Sequence, residues 1–262
     1  MTTLTTMRAH SFRATRHHTQ GLFKDAKLKM LNAEFGVVRC VRTDVAAGKK
    51  SKALKKWREK TPLDLTSVMP TRDGGKRLVK DATIPSWTSY PGLFAGGGLD
   101  IMTSALLRRF LPTLERKGKP RVLDYCSGNG VIAAATKLVA PKARVTVLDA
   151  DACAIDACKK NLPDDVERAL SDGWTSLAPD ATFDIIVSNP PVHLGVVVDF
   201  EITRKLLDAL PTRLTATGAA YLVTQQYVPV RALARDLLSA SIDVNVASAD
   251  GRFVVWKCSR KS

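Results

Sequence analysis

The sequence predicts an α/β fold, a doubly wound and mostly parallel sheet of seven strands with an antiparallel C-terminal hairpin. Three observations carry this. From about Trp87 onward, short apolar runs alternate with stretches of helical periodicity, the pattern of successive βαβ units. The first run ends in a glycine-bearing turn, DYCSGNG (124–130). The last two runs, IDVNVAS and GRFVVWKCS, meet at Asp250-Gly251, a hairpin signal that adds an antiparallel edge.

The elements follow in order. LDIMTSALLRRFLPTL (99–114) has apolar positions at helical spacing, and RVLDYC (121–126) is a short apolar strand. VIAAATKLVA (131–140) reads as a helix, RVTVLDA (144–150) as a strand and DACAIDACKKNL (151–162) as a helix. A third strand is expected to end near LSDGW (170–174). FDIIVSN (183–189) is the fourth, followed by a helical stretch near 200–214, the strand AAYLVTQQ (219–226) and the helix VRALARDLLSA (230–240). Residues 87–262 are thus expected to form the folded domain, with 1–86 as a basic extension.

Composition bounds what the chain does. With 45% hydrophobic residues it can bury a core, and no run of about 18 apolar residues exists to span a membrane. The net charge of +15 is uneven. Met1 to Ser86 holds 19 Lys and Arg against 7 Asp and Glu, whereas Trp87 to Ser262 holds 21 against 18. A basic N-terminal third implies a polyanionic partner, above all RNA. KKSKALKKWREK (49–60) predicts a helix with Lys52, Lys56 and Lys60 on one face, suited to phosphates. TRDGGKR (71–77) reads as a loop. The first 24 residues are rich in Arg and Thr and free of acids, the composition of a mitochondrial or plastid transit peptide and equally of an RNA-binding arm. Five scattered cysteines, with no close CxxC pair, imply no metal site and a reducing intracellular compartment, mitochondrial or cytoplasmic.

In a doubly wound sheet, ligands bind beyond the carboxyl ends of the strands. Gly128 and Gly130 permit a tight turn and a close approach of backbone to ligand. Asp149 stands 19 residues after Gly130, where a carboxylate accepts hydrogen bonds from ribose hydroxyls. Gly128 to Ala133 also satisfies the dinucleotide pattern GxGxxG/A, but Asp124, ending the first strand, would repel a pyrophosphate. It would attract a ligand bearing an ammonium and a sulfonium, which S-adenosylmethionine is. Asp172, at the end of the third strand, is placed to accept an adenine amino group.

At the end of the fourth strand stands Asn189-Pro190-Pro191, beside the expected methyl donor. An exocyclic amine on a base is planar and weakly nucleophilic, because its lone pair is delocalised. The Asn189 side-chain oxygen and the Pro190 carbonyl are two acceptors for its two N–H groups, leaving the lone pair aimed at the methyl. The prolines fix the backbone, so the gain is orientation.

At these residues the sequence resembles the family of ribosomal-RNA guanine-N2 methyltransferases built on the "methyltransferase small" domain. PGLFAGGGLD (91–100) is similar to its PGVFSxxGLD, and LDYCSGNG (123–130) to its LDxGCGxG, with Cys126 where the first glycine stands. SNPPVHLG (188–195) is similar to its SNPPFHxG, and VTQQYVPV (223–230) to its VANxFLPY, which puts Tyr227 and Pro229 at matching positions. GRFVVWKC (251–258) is similar to its last strand. The resemblance spans about 88–258. It implies a class I, Rossmann-like fold, S-adenosylmethionine bound by Asp124, Cys126, Gly128, Gly130, Asp149, Asp172 and Asn189, and methylation of a base amine in ribosomal RNA. His193 fits the motif as well. Two departures stand out: Val192 replaces the aromatic after NPP, and Gly96-Gly97 replaces a polar pair before GLD. An aromatic there would stack on the target base, worth about 1–3 kcal/mol. A degenerate fold serving as a ribosome-assembly or ribosomal RNA-binding protein is therefore the second expectation. A protein glutamine-N5 methyltransferase is the third, disfavoured by the basic charge.

Overall fold

The computed structural model describes residues 60–261 apart from 72–74, 77, 91, 116, 195–196, 199 and 238–240. The transit-peptide-like first 24 residues and the helix expected at 49–60 lie outside these, save Lys60. Among the described residues no helix is long and apolar enough to cross a membrane, and no three His, Cys, Asp or Glu side chains gather as for a metal ion.

The central sheet has seven strands: β3 (Arg121–Tyr125), β4 (Arg144–Asp149), β5 (Glu167–Leu170), β6 (Phe183–Ser188), β9 (Leu214–Gln225), β10 (Ile242–Ala249) and β11 (Phe253–Arg260). Their order is β10-β11-β9-β6-β3-β4-β5. The five strands β3, β4, β5, β6 and β9 pair in parallel, whereas β11 pairs antiparallel with β9 and with β10. The chain winds outward from β3 in both directions, so the switch point lies between β3 and β6. Helices α1 (Ile101–Phe110), α2 (Val131–Val139), α3 (Ala152–Asn161), α4 (Glu201–Arg213) and α5 (Val230–Leu237) cover the faces.

Alternation along the strands divides the core in two. Val122, Ile185 and Val187 pack with α1 and α2, while Leu123, Ile186 and Leu222 pack with Leu206, Leu207 and Leu210 of α4 and Leu233 of α5. β9 begins five residues earlier than the apolar run predicts. Gly218 accounts for its path, since the register slips between Phe183 and Ile185 there and a Cβ would sit 2.9 Å from the Phe183 carbonyl oxygen. A short ladder of β7 (His193–Leu194) and β8 (Val197–Val198) follows the two prolines.

The domain boundary is corrected. β1 (Lys60–Asp64) and β2 (Thr83–Thr88) form an antiparallel pair. Leu63, Leu65, Val68, Met69, Ala82 and Trp87 are buried in the same core as α1 and α2. The folded unit therefore includes residues from 60 onward, and the extension does not run to Ser86. The physical reason is apolar burial that the flanking prolines and charges obscure in sequence.

Candidate active site

The carboxyl ends of β3, β4, β5 and β6 lie side by side at the switch point, and each carries a polar group. Asp124, the fourth residue of β3, is fully buried. Its Oδ2 accepts from the Ala133 backbone N–H at 3.1 Å, in the first turn of α2, whose N-cap Gly130 has no side chain to offer. Its Oδ1 is buried with no hydrogen-bond partner. Burial first, and then the neighbouring Asp149 carboxylate, push its pKa up to about 8 against the partial relief of the Ala133 bond. An orphaned, desolvated carboxyl oxygen at the carboxyl edge of the sheet is a candidate ligand contact, and a bound cation would favour its ionised form.

Two of the sequence-selected glycines play different parts. Gly128 has φ of 53° and open space where a Cβ would stand, so it leaves room on the ligand side. Gly130 has φ of 92°, and its close approach is to protein: a Cβ would lie 2.8 Å from Leu162 Cδ1 and 3.2 Å from Cys158 Sγ. Cys126 takes the left-handed region at φ of 63°, which explains why glycine suits that position in similar loops. Burial raises its thiol well above the ordinary range, with Asp149 and Asp124 adding to the shift.

Asp149 ends β4 half-buried. Its Oδ2 accepts from the Gly128 N–H and its Oδ1 from the Asp151 N–H, both at 2.8 Å, so the carboxylate is locked against the glycine loop. Asp172 stands two residues past β5 and accepts from Thr175 Oγ1 at 3.3 Å. Next to it, Trp174 stacks on Tyr125 with ring centroids 5.0 Å apart and donates Nε1 to the Lys205 carbonyl.

Asn189 follows β6 directly. Its Nδ2 donates to Thr103 Oγ1 of α1 at 3.0 Å, which leaves Oδ1 as the acceptor of the amide. Thr103 is held in turn, because α1 is capped by Asp100, whose Oδ1 accepts from the Met102 and Thr103 N–H groups. Pro190 is buried and Pro191 exposed. Val192 is 4% exposed and packs in the core with Leu123 and Tyr125.

Residues 89–98 lie against this site. The Gly97 carbonyl accepts from Trp87 Nε1 at 2.7 Å and from Asn129 Nδ2 at 2.5 Å, while Ser89 Oγ donates to the Gly96 carbonyl. Ala95, Gly96 and Gly97 all have positive φ, and a Cβ at Gly97 would meet Asn129 Nδ2 at 2.6 Å. The paired glycines are therefore demanded by the turn. Leu93 and Tyr90 pack on Ala154 and Ala157 of α3, and Tyr90 joins Asp156 and Lys160 in a hydrogen-bonded group.

This frame has known counterparts. The methyltransferase small domain model matches residues 86–257. The chain belongs to that family. The ribosomal RNA small subunit methyltransferase C of Haemophilus influenzae (strain PittGG) is 30% identical over 185 residues, which is 69% of this chain and 53% of the relative. The protein of the same name from Pectobacterium atrosepticum is 32% identical over 170 residues, 64% of this chain and 47% of its own length. The chain thus spans about half the length of the curated relatives it matches. Among solved structures, a 16S rRNA N2-guanine methyltransferase from T. thermophilus, in complex with AdoMet and guanosine, superposes with a TM-score of 0.56 at 21% identity, covering 76% of this chain and 58% of that one. A ribosomal protein L11 methylase from Lactobacillus delbrueckii subsp. bulgaricus gives 0.55 at 22% identity, over 72% and 92%. At those identities the likeness shows a shared α/β methyltransferase fold.

Within the methyltransferase small domain, Asp124, Gly128, Asp149, Asp172 and Asn189 all fall at the carboxyl edge, and hydrogen bonds join Asp149 to the glycine loop directly. Thr103, Asn129 and Trp87 are the site residues that sequence reasoning missed. Thr103 was legible only as the third position of a helix begun by an Asp cap.

Proposed function

We propose that this chain transfers a methyl group from S-adenosylmethionine to the exocyclic N2 of a guanine in ribosomal RNA. The observation that carries this is the pair of oxygens at the ends of adjacent strands, the orphaned Asp124 Oδ1 on β3 and the Asn189 Oδ1, left facing away from Thr103, directly after β6. The residues fit the cofactor: Asp124 would take its ammonium, Asp149 its ribose hydroxyls and Asp172 its adenine amino group, with Gly128 leaving room beside the chain. When bound, S-adenosylmethionine supplies an electrophilic methyl carbon.

The protein's own part is orientation. Asn189 accepts one N–H of the base amine, and the Pro190 carbonyl, stiffened by two prolines, is the acceptor for the other. So held, the amine would keep its lone pair facing the methyl group that the cofactor would supply, and its surplus proton would pass to water. Lys and Arg of the N-terminal third grip RNA phosphates without reading sequence. The names of the relatives support ribosomal RNA as the class, and the shared "small subunit" designation supports the small-subunit RNA.

Calorimetric titration with S-adenosylmethionine tests the cofactor assignment. The intact protein should bind, and Asp149→Ala should lose at least about tenfold in affinity, since hydrogen bonds to a charged group are worth roughly 1.5–3 kcal/mol. Failure of the intact protein to bind would leave the fold as a scaffold for a non-catalytic RNA-binding role.

A further inference from the structure

Val192 raises a question that the proposed reaction leaves open. A base drawn from its stack into a pocket is held largely by aromatic stacking. Yet the residue after NPP is an aliphatic side chain turned into the core, 4% exposed. The stacking surface must come from elsewhere.

Among the described residues, five large apolar side chains are exposed: Phe94, Ile101, Leu170, Tyr227 and Val246. Apolar residues scattered singly over a surface need no explanation. These are not scattered. Leu170 is the last residue of β5, Tyr227 follows β9 by two residues, and Ile101 opens the helix whose Thr103 holds Asn189. Phe94 lies three residues before Gly97, whose carbonyl is bonded to Asn129 of the glycine loop. Three residues reach at most about 11 Å. Four of the five therefore lie along the carboxyl edge, with Leu170 and Tyr227 at the two outer strands of the parallel set, and Val246 on β10 is the exception. Phe94, at 62%, is the most exposed of all, although its neighbour Leu93 is 8% exposed and packs on α3. The loop is anchored on both sides of Phe94 while that ring is left facing solvent.

We propose that Phe94 and Tyr227 form the aromatic surface on which the acceptor base stacks, a positioning role that Val192 cannot fill. The occupant is a planar nucleobase. Asn189 supplies the in-plane acceptor for its amine, and rings from the 89–98 loop and from the loop after β9 supply its apolar cover. The inference rests on the reading of the acceptor as guanine.

The test uses the full chain saturated with S-adenosylmethionine and titrated with guanosine, followed by NMR. Phe94→Ala and Tyr227→Ala should each weaken guanosine about tenfold. Phe94→Tyr and Tyr227→Phe should restore it, Val246→Ala should change nothing, and S-adenosylmethionine affinity should be equal throughout. Unchanged guanosine affinity in both alanine variants would overturn the assignment while leaving the proposed function standing, as would a parallel loss of cofactor affinity. Intact protein that binds the cofactor but no guanosine would overturn the acceptor reading and this inference with it.

Discussion

Asp124 shows how one buried side chain couples stability to ligand binding. Its carboxyl group titrates near 8 in the folded protein against an ordinary value of 3.8. The native state thus keeps a proton that the unfolded chain releases, so stability is lost as pH rises from about 4 through about 8. Asp124→Asn removes that loss. The variant should melt higher than the parent at pH 8.5 by a margin that shrinks toward pH 4, read by thermal denaturation, and should bind S-adenosylmethionine at least about tenfold more weakly. A margin independent of pH would refute the ionisation. Thr103 makes the complementary case, because it touches no reacting atom. Thr103→Val keeps the volume but removes the acceptor that turns the Asn189 amide. Turnover should fall about 10- to 100-fold with cofactor affinity unchanged, measured by initial rates beside calorimetry. Equal loss of both would mean that Thr103 serves α1 alone.

At the scale of elements, the glycine loop between β3 and α2 separates two duties that the sequence motif merges. Gly130→Ala would drive a methyl group into Leu162 at a φ of 92°, so denaturant titration should show a loss of about 1–3 kcal/mol. Gly128→Ala meets open space and only the left-handed cost of about 1–2 kcal/mol, and should weaken S-adenosylmethionine beyond what that loss of stability explains. The reverse order of effects would contradict the loop's orientation. The motif was legible because both glycines punctuate a run of strand and helix signals. Their division of labour was not, since it depends on Leu162 and Cys158 from an element 30 residues on. The same limit governs the rest. FDIIV and RVTVL announce strands by composition alone, whereas KTPLD and TIPSWT each carry a proline and show no clean alternation, so β1 and β2 are not legible as strands in sequence. Trp87, where the sequence pattern changes, is 1% exposed with its Nε1 bonded to Gly97. Thr103 and Asn189 are 86 positions apart, and only the packing of α1 over the end of β6 brings them together.

Across the whole molecule the charge is divided unevenly, and on the proposed function the two parts would carry different terms of one reaction. Residues 87–262 are nearly balanced in charge and carry the candidate site, while the excess of cations sits in the first 86 residues, of which β1 already belongs to the folded unit. Phosphate contacts of that kind set affinity and make it fall with salt, but the base chosen is decided in the pocket. The direct measurement of the central claim is nucleoside mass spectrometry. Unmodified small-subunit ribosomal RNA is incubated with the full chain and S-adenosylmethionine, digested, and compared with the same reaction run with Asn189→Ala. The account predicts N2-methylguanosine from the intact protein and its near absence with the variant. Binding of S-adenosylmethionine without any methylated nucleoside, or a methyl group found on another base, would contradict it.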